Sequence, residues 1–234
     1  MKDRYGAIYR GDIQQKTISL IFSADEFAEG TDTILKILNQ YQIKSSFFLT
    51  GRFYENPKNY SFIKNMIKAG HYTGAHSDQH LLYCDWNNRD SLLVTKTQFD
   101  ADLREVYRKM ISFGIHKEDA RYFLPPYEWY NKEINVWTSN HALQLINFTP
   151  GTLTTADYTL PEMGTKYRSS DKIFDSVVSY SKQQKNGLNG FIMLIHLGVG
   201  PKREDKFYHK LPMLLDSLLA EGYRFKKINE LLEQ

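Results

Sequence analysis

The sequence predicts an α/β protein built on a parallel sheet, and three observations carry that reading. Short apolar, β-branched runs alternate with amphipathic stretches along nearly all of the 234 residues. The amphipathic stretches are long enough to cross back over a sheet, which favours right-handed β-α units. Polar residues of ligand and acid type fall just after the apolar runs, at the carboxyl ends of the expected strands, where parallel α/β folds place their sites. Such a succession closes into a barrel or opens into a doubly wound sheet. No repeat, low-complexity tract or linker interrupts it. We therefore expect one domain over 17–234, preceded by a lead-in over 1–16.

The elements follow in order. Thr17 to Ser23 reads as a buried strand, followed by a helix with Thr31 as its cap and Ile34, Leu35, Ile37 and Leu38 on one face. Ser45 to Thr50 is the second strand. Asn59 to Ala69 carries Phe62, Ile63, Met66 and Ile67 at helical spacing and closes on Gly70. His71 to Ala75 is a short third strand. Leu81 to Arg89 is irregular and aromatic. Thr95 to Phe113 is a long amphipathic helix. Arg121 to Leu124 is a fourth strand stopped by two prolines, and Glu133 to Ala142 is a helix. Leu143 to Phe148 is a fifth strand, and the long loop from Thr149 to Arg168 has the length of a functional segment. Ser170 to Lys185 is a helix capped by Ser170 or Asp171. Gly190 to Ile195 is the most apolar strand. A helix over Phe207 to Gly222, a strand over Tyr223 to Ile228 and a short helix complete the chain.

Composition narrows the function classes. A net charge of +3 gives no basic face for nucleic acid. The single cysteine, Cys84, excludes an internal disulfide and a zinc-thiolate cluster. No run approaches the ~20 apolar residues of a membrane span. Tyr and Phe are abundant, which suits both a core and aromatic contacts to sugar rings.

His76 and His80 stand four apart after the third strand. On a helical turn that spacing puts two imidazoles on one face, within reach of one ion. Asp25 follows the first strand, Pro126 and Tyr127 the fourth, Asp157 the fifth and His196 the sixth. A carboxylate and an H-x-x-x-H pair make a three-ligand site with an open position, a layout suited to metal-assisted hydrolysis. His196 serves equally well as a general acid or as a buried histidine bonded to a backbone carbonyl.

With these residues in place, the chain resembles the polysaccharide deacetylases, carbohydrate esterase family four, of the NodB-like type. The resemblance runs from Thr17 to Leu232 and rests on three motifs. His76-Ser77-Asp78-Gln79-His80 matches the family's H-[ST]-x-x-H metal pair. Phe123-Leu124-Pro125-Pro126-Tyr127 matches a stretch usually read R-P-P-Y. Leu194-Ile195-His196 matches the terminal L-x-H that carries the acid. The resemblance implies a distorted seven-stranded (β/α) barrel and removal of N- or O-acetyl groups from a carbohydrate with one divalent metal. Zinc is the first expectation; cobalt, nickel or iron also suit the ligands.

Two departures stand out. The family's first motif reads T-F-D-D-G, its first Asp the base and its second a metal ligand. Here Ser23 and Ala24 occupy those places, and Asp25 is one position late. The motif's usual arginine is Leu124. The two losses belong together, because an arginine without its buried aspartate would be an unpaired charge costing several kcal/mol. The expected metal ligands are then Asp25, His76 and His80, with His196 as acid. The base is Glu26, Asp25 itself, another nearby carboxylate such as Asp78, or absent. Asp157-Tyr158 matches the family's Asp-Trp, whose Asp raises the pKa of the acid. A backbone N–H near Tyr127 is expected to hold the oxyanion. Tyr83, Trp86, Tyr127, Trp129 and Tyr130, with Pro126, are the candidate sugar contacts. The rival readings are a glycan-binding barrel that has lost turnover and a same-fold hydrolase of non-sugar amides or esters. No apolar leader follows Met1, and since acetylated glycans lie mostly outside the cytoplasm, a periplasmic or secreted domain delivered by an upstream segment is expected.

Overall fold

The structure, a computed structural model, describes residues 1–233. Seven strands form one parallel sheet: β1 (Thr17–Ala24), β2 (Ser46–Leu49), β3 (Tyr72–Ala75), β4 (Tyr122–Phe123), β5 (Gln144–Leu145), β6 (Phe191–His196) and β7 (Arg224–Phe225). The order is β5-β4-β3-β2-β1-β6, and β7 pairs with the first two residues of β1. Among the described residues there are eight α-helices: α1 (Thr31–Gln40), α2 (Gly51–Glu55), α3 (Tyr60–Lys68), α4 (Lys96–Ile111), α5 (Lys132–Asn140), α6 (Ser170–Gln183), α7 (Leu211–Ala220) and α8 (Ile228–Leu232). None among the described residues is long and apolar enough to cross a membrane.

The alternation of side chains along each strand creates two cores. On β1, Ile18, Leu20, Phe22 and Ala24 join the outer core under the helices. Ile21 joins the inner core with Phe48, Tyr72, Tyr122, Leu124, Ile192 and Leu194. Residues of β4 and β6 share this inner cluster although three strands separate them, so the sheet is curled into the distorted barrel that was expected. Ile228 and Leu231 of α8 plug its floor. The lead-in fills the seam between β5 and β6. Ile8 exchanges backbone hydrogen bonds with Leu145 and Asn147, and Gly11 donates to Gly190.

Several boundaries differ from expectation. β4, β5 and β7 are only two residues long. Gly30, not Thr31, is the N-cap of α1 and makes no side-chain cap bond. Ser169 caps α6 one residue early, its hydroxyl accepting from Lys172 N. α2 was not anticipated, because five residues are too few to show a period; Thr50 caps it by accepting from Phe53 N. By contrast the capping box of Thr95 and Gln98 sets the start of α4.

Close packing inside the barrel fixes Gly74. A Cβ there would lie 2.3 Å from the Phe48 ring and 2.7 Å from the Tyr122 carbonyl oxygen. Gly74→Ala is therefore expected to destabilise the fold by about 1–3 kcal/mol, read as a lower urea midpoint; an unchanged midpoint would show that the interior is looser than described.

Candidate active site

The same alternation that builds the inner core aims its last layer at the mouth. Ser23, His76, Leu124 and His196 continue the inward positions Ile21, Gly74, Tyr122 and Leu194. Ser23 and His196 are direct register partners on β1 and β6. A cavity of about 580 Å³ opens above this layer, and Ser23, Asp25, Glu26, His76, His80, Trp86, Tyr127, Glu128, Tyr158 and His196 line it.

His76 and His80 do come together, their ring centroids 5.0 Å apart. The means is not the helical turn suggested by their spacing. Residues 76–80 form a loop in which Ser77 and His80 adopt left-handed backbone angles (φ 71° and 54°). Buried carboxylates hold that loop. Asp102 of α4 accepts from the backbone N–H groups of Asp78 and Gln79, both at 2.9 Å. Asp78 turns away from the cavity to pair with the buried Lys109 at 2.6 Å. The structure thus removes Asp78 as a candidate base. Nδ1 of His76 lies 2.8 Å from the Leu124 carbonyl oxygen, which leaves Nε2 for another partner. Burial, reinforced by His80 for His76 and by Arg52 for His80, pushes His76 down to about 3 and His80 to about 4, so both rings are neutral at neutral pH.

Asp25 stands beside them, its Oδ2 3.8 Å from Nδ1 of His80. Its carboxylate is already engaged. Thr50 donates to Oδ1 at 2.9 Å, Arg52 Nε donates to Oδ1 at 3.0 Å, and Arg52 Nη2 pairs with Oδ2. Among the described residues no three His, Cys, Asp or Glu side chains stand as a ready metal site. Chemically the donors suit a divalent ion: two neutral imidazoles, one pre-oriented by a carbonyl, and a carboxylate. Asp25 would complete such a set only with its carboxylate released from Arg52.

The acid end is the best-built part. Asp157 receives His196 twice, from Nδ1 at 2.5 Å and from the backbone N at 2.9 Å. Burial alone would lower the His196 pKa. The Asp157 carboxylate, helped by the charge of Glu128, overrides this and raises it to about 9. His196 is therefore an imidazolium at neutral pH, with Nε2 left for the cavity. The Asp157 loop is clamped by Arg203, a fully buried guanidinium that donates to the carbonyls of Thr159, Arg168 and Asp205. Nothing in the local sequence marked Arg203 for that work.

The aromatic candidates divide. Trp86 (53% exposed) and Tyr127 (45%) line the cavity, and the Tyr127 ring sits 4.4 Å from His80. Trp129 does not line it; its ring lies 5.4 Å from that of Trp86, tilted by 34°, and the Arg89 guanidinium sits 3.9 Å over it. Pro126 is buried behind the rim. Tyr83 and Tyr130 are fully buried, and Tyr130 donates to Asp3, so these two belong to the core and are withdrawn as sugar contacts. Glu26 is exposed at the mouth. A titratable residue of the cavity was missed by the sequence reading. Glu128, directly after Pro-Pro-Tyr, carries a carboxyl raised to about 7 by burial and by the charge of Asp157.

A curled parallel barrel with this ring at its mouth defines the class, and the family model for polysaccharide deacetylase matches residues 10–146. The chain belongs to that family. It is 25% identical over 231 residues to the peptidoglycan-N-acetylmuramic acid deacetylase PdaA of Bacillus subtilis, covering 98% of this chain and 76% of that one. It is also 25% identical to a peptidoglycan-N-acetylglucosamine deacetylase of Bacillus cereus, over 93% of this chain and 89% of the relative. Among solved structures, a carbohydrate esterase family 4 pseudoenzyme from Bacillus anthracis superposes with a TM-score of 0.75 at 22% identity, covering 98% of this chain and 69% of that one.

The Asp157–His196 pair makes a direct prediction. Asp157→Asn removes the negative charge that holds the proton and leaves the burial that opposes it, so the His196 pKa, followed by NMR, is expected to fall from about 9 to its ordinary 6.5 or below. A value that stays near 9 would mean that another group holds the proton.

Proposed function

We propose that the chain is a metal-dependent deacetylase of acetylated carbohydrates, with N-acetylated amino-sugar polymers the class its relatives suggest. The observation that carries this reading is the charged His196–Asp157 pair facing the cavity. A binding barrel gains nothing from a buried imidazolium held by a dedicated carboxylate, whereas expelling an amine or alkoxide requires a proton at that place. His76, His80 and Asp25 are the residues that would hold the ion, zinc first among cobalt, nickel and iron. When bound, it supplies Lewis acidity that polarises the acetyl carbonyl and lowers the pKa of a nearby water.

The chain's own residues do the rest. Trp86 and Tyr127 offer ring faces to the sugar and orient the acetyl group into the cavity. The Tyr127 backbone N–H stabilises the developing oxyanion. His196 gives its Nε2 proton to the departing nitrogen or oxygen as the acyl bond breaks. Asp157 keeps the imidazole in the right tautomer and balances its charge.

A second reading has its own support. Ser23 stands where the family keeps its base, and Arg52 occupies the Asp25 carboxylate. Both fit a glycan-binding barrel without turnover, and the similarity to a pseudoenzyme fold is in keeping with that. Acetate release separates the two. Wild type is expected to release acetate from acetylated chitooligosaccharides or acetylated xylan, and His196→Ala to lose about 10²–10⁴-fold; glycan binding without any acetate would establish the second reading.

The ligand assignment has a separate check. Arg52→Ala frees Asp25, so zinc affinity by calorimetry is expected to rise, and His76→Ala to abolish binding. Equal affinity in wild type and both variants would remove these residues from the metal site.

A further inference from the structure

The proposed deacetylase lacks a carboxylate where its family keeps the base, and the chain offers a replacement on another element. Ser23 is buried, and its Oγ has no hydrogen-bond partner. Asp78 is turned away under Lys109. Asp25 is held by Thr50 and Arg52. Glu26 stands exposed at the mouth.

Glu128 differs from all of these. It lies half-buried in the cavity wall, and no described residue donates a hydrogen bond or an ion pair to its carboxylate. Its backbone is costly to hold. Tyr127 (φ 58°) and Glu128 (φ 52°) are consecutive non-glycine residues in the left-handed region, at about 1–2 kcal/mol each. The turn is kept by Glu128 N donating to the Pro125 carbonyl at 3.0 Å, Trp129 N to Pro126 at 3.2 Å, and Asn147 Nδ2 to the Glu128 carbonyl at 3.3 Å. Strain maintained by surrounding structure at a cavity wall is a mark of function. What it achieves here is to seat Glu128 in the wall of the cavity that Ser23 and His196 also line.

We propose that Glu128 is the catalytic base of this deacetylase, taking the place of the absent carboxylate at position 23; the assignment rests on the function proposed above. The proton bookkeeping closes within the cavity. An O–H bond of the attacking water breaks, and its proton goes to a Glu128 carboxylate oxygen as the water oxygen bonds to the acetyl carbon. The carbonyl electron pair moves onto oxygen. When that pair returns, the C–N bond breaks, and its electrons stay on nitrogen, which takes the Nε2 proton of His196. Acetic acid and the amine leave. Glu128 is then protonated and His196 neutral, and one proton passed from the first to the second restores the start. The two groups already sense each other's charge.

The charged and titratable groups around Glu128 are His196 on β6, Asp157 and Tyr158 on the loop after β5, His76 and His80 after β3, and Asp25 and Glu26 after β1. Turnover needs Glu128 ionised and His196 protonated. Activity should therefore rise through about 7, as Glu128 loses its proton, and fall above about 9, as His196 does.

The test is acetate release from N-acetylated chitooligosaccharides against pH, with KM and kcat separated. Glu128→Gln is expected to lower kcat about 10²–10⁴-fold with KM little changed and to erase the acid limb. Glu128→Ala is expected to regain activity in added formate, which a merely structural role would not allow. Wild-type kcat in Glu128→Gln, or a Glu128→Ala loss that formate does not repair while Glu128→Gln keeps its acid limb, overturns the assignment and leaves the deacetylase reading standing. A wild type that binds the oligosaccharide but releases no acetate overturns both.

Discussion

Everything at the mouth of this barrel depends on one geometric constraint. Strand side chains alternate, and the outer positions of β1, β2, β3 and β6 are committed to the core beneath the helices. The intervening positions must therefore face inward. Lower on the strands they are filled by Ile21, Tyr72 and Leu194; toward the carboxyl ends they become Ser23, His76 and His196. A register slip of one residue on any of these strands would send a functional side chain into the apolar outer core, so the folding energy of the barrel also sets the site.

The altered first and third motifs make sense as a rearrangement of charge. In the family pattern a base and an arginine meet inside the barrel. Here both of those positions are uncharged, with Ser23 in one and a fully buried Leu124 in the other. A carboxylate–guanidinium pair instead forms at the wider mouth, between Asp25 and Arg52, with side chains 20% and 48% exposed. A pair in that setting is far cheaper to desolvate than one inside the barrel, and also easier to open. The negative charges that remain deep in the site are Asp157, neutralised by His196, and Glu128.

How much of this was legible in the sequence follows from the range of each interaction. The histidine pair, His196 and Asp25 were readable because each sits at a strand end, and strand ends follow from local apolar patterns. Asp157 came from the resemblance, and the structure joins it to His196 across a long loop. The geometry of residues 76–80 was misread because H-x-x-x-H spacing is the same on a helix and in a loop whose left-handed residues bring the rings together. Arg52, Lys109 and Arg203 were invisible for a different reason. Each acts through partners brought near only by sheet order and loop packing, and an isolated basic residue looks like ordinary surface. Glu128 had one local signal, a carboxylate directly after Pro-Pro-Tyr, but its inward aim needs two successive left-handed residues that no propensity rule anticipates.

The function proposed for the cavity is hydrolysis of an acetyl group rather than mere retention of a glycan. Incubation of the metal-loaded protein with an N-acetylated oligosaccharide in ¹⁸O-labelled water, followed by mass spectrometry, tests it most directly. Attack of water at the acetyl carbonyl places one solvent oxygen in the released acetate and none in the sugar. That distribution is the expected result. Oligosaccharide recovered unchanged, with its acetyl groups intact and no labelled acetate, would contradict it.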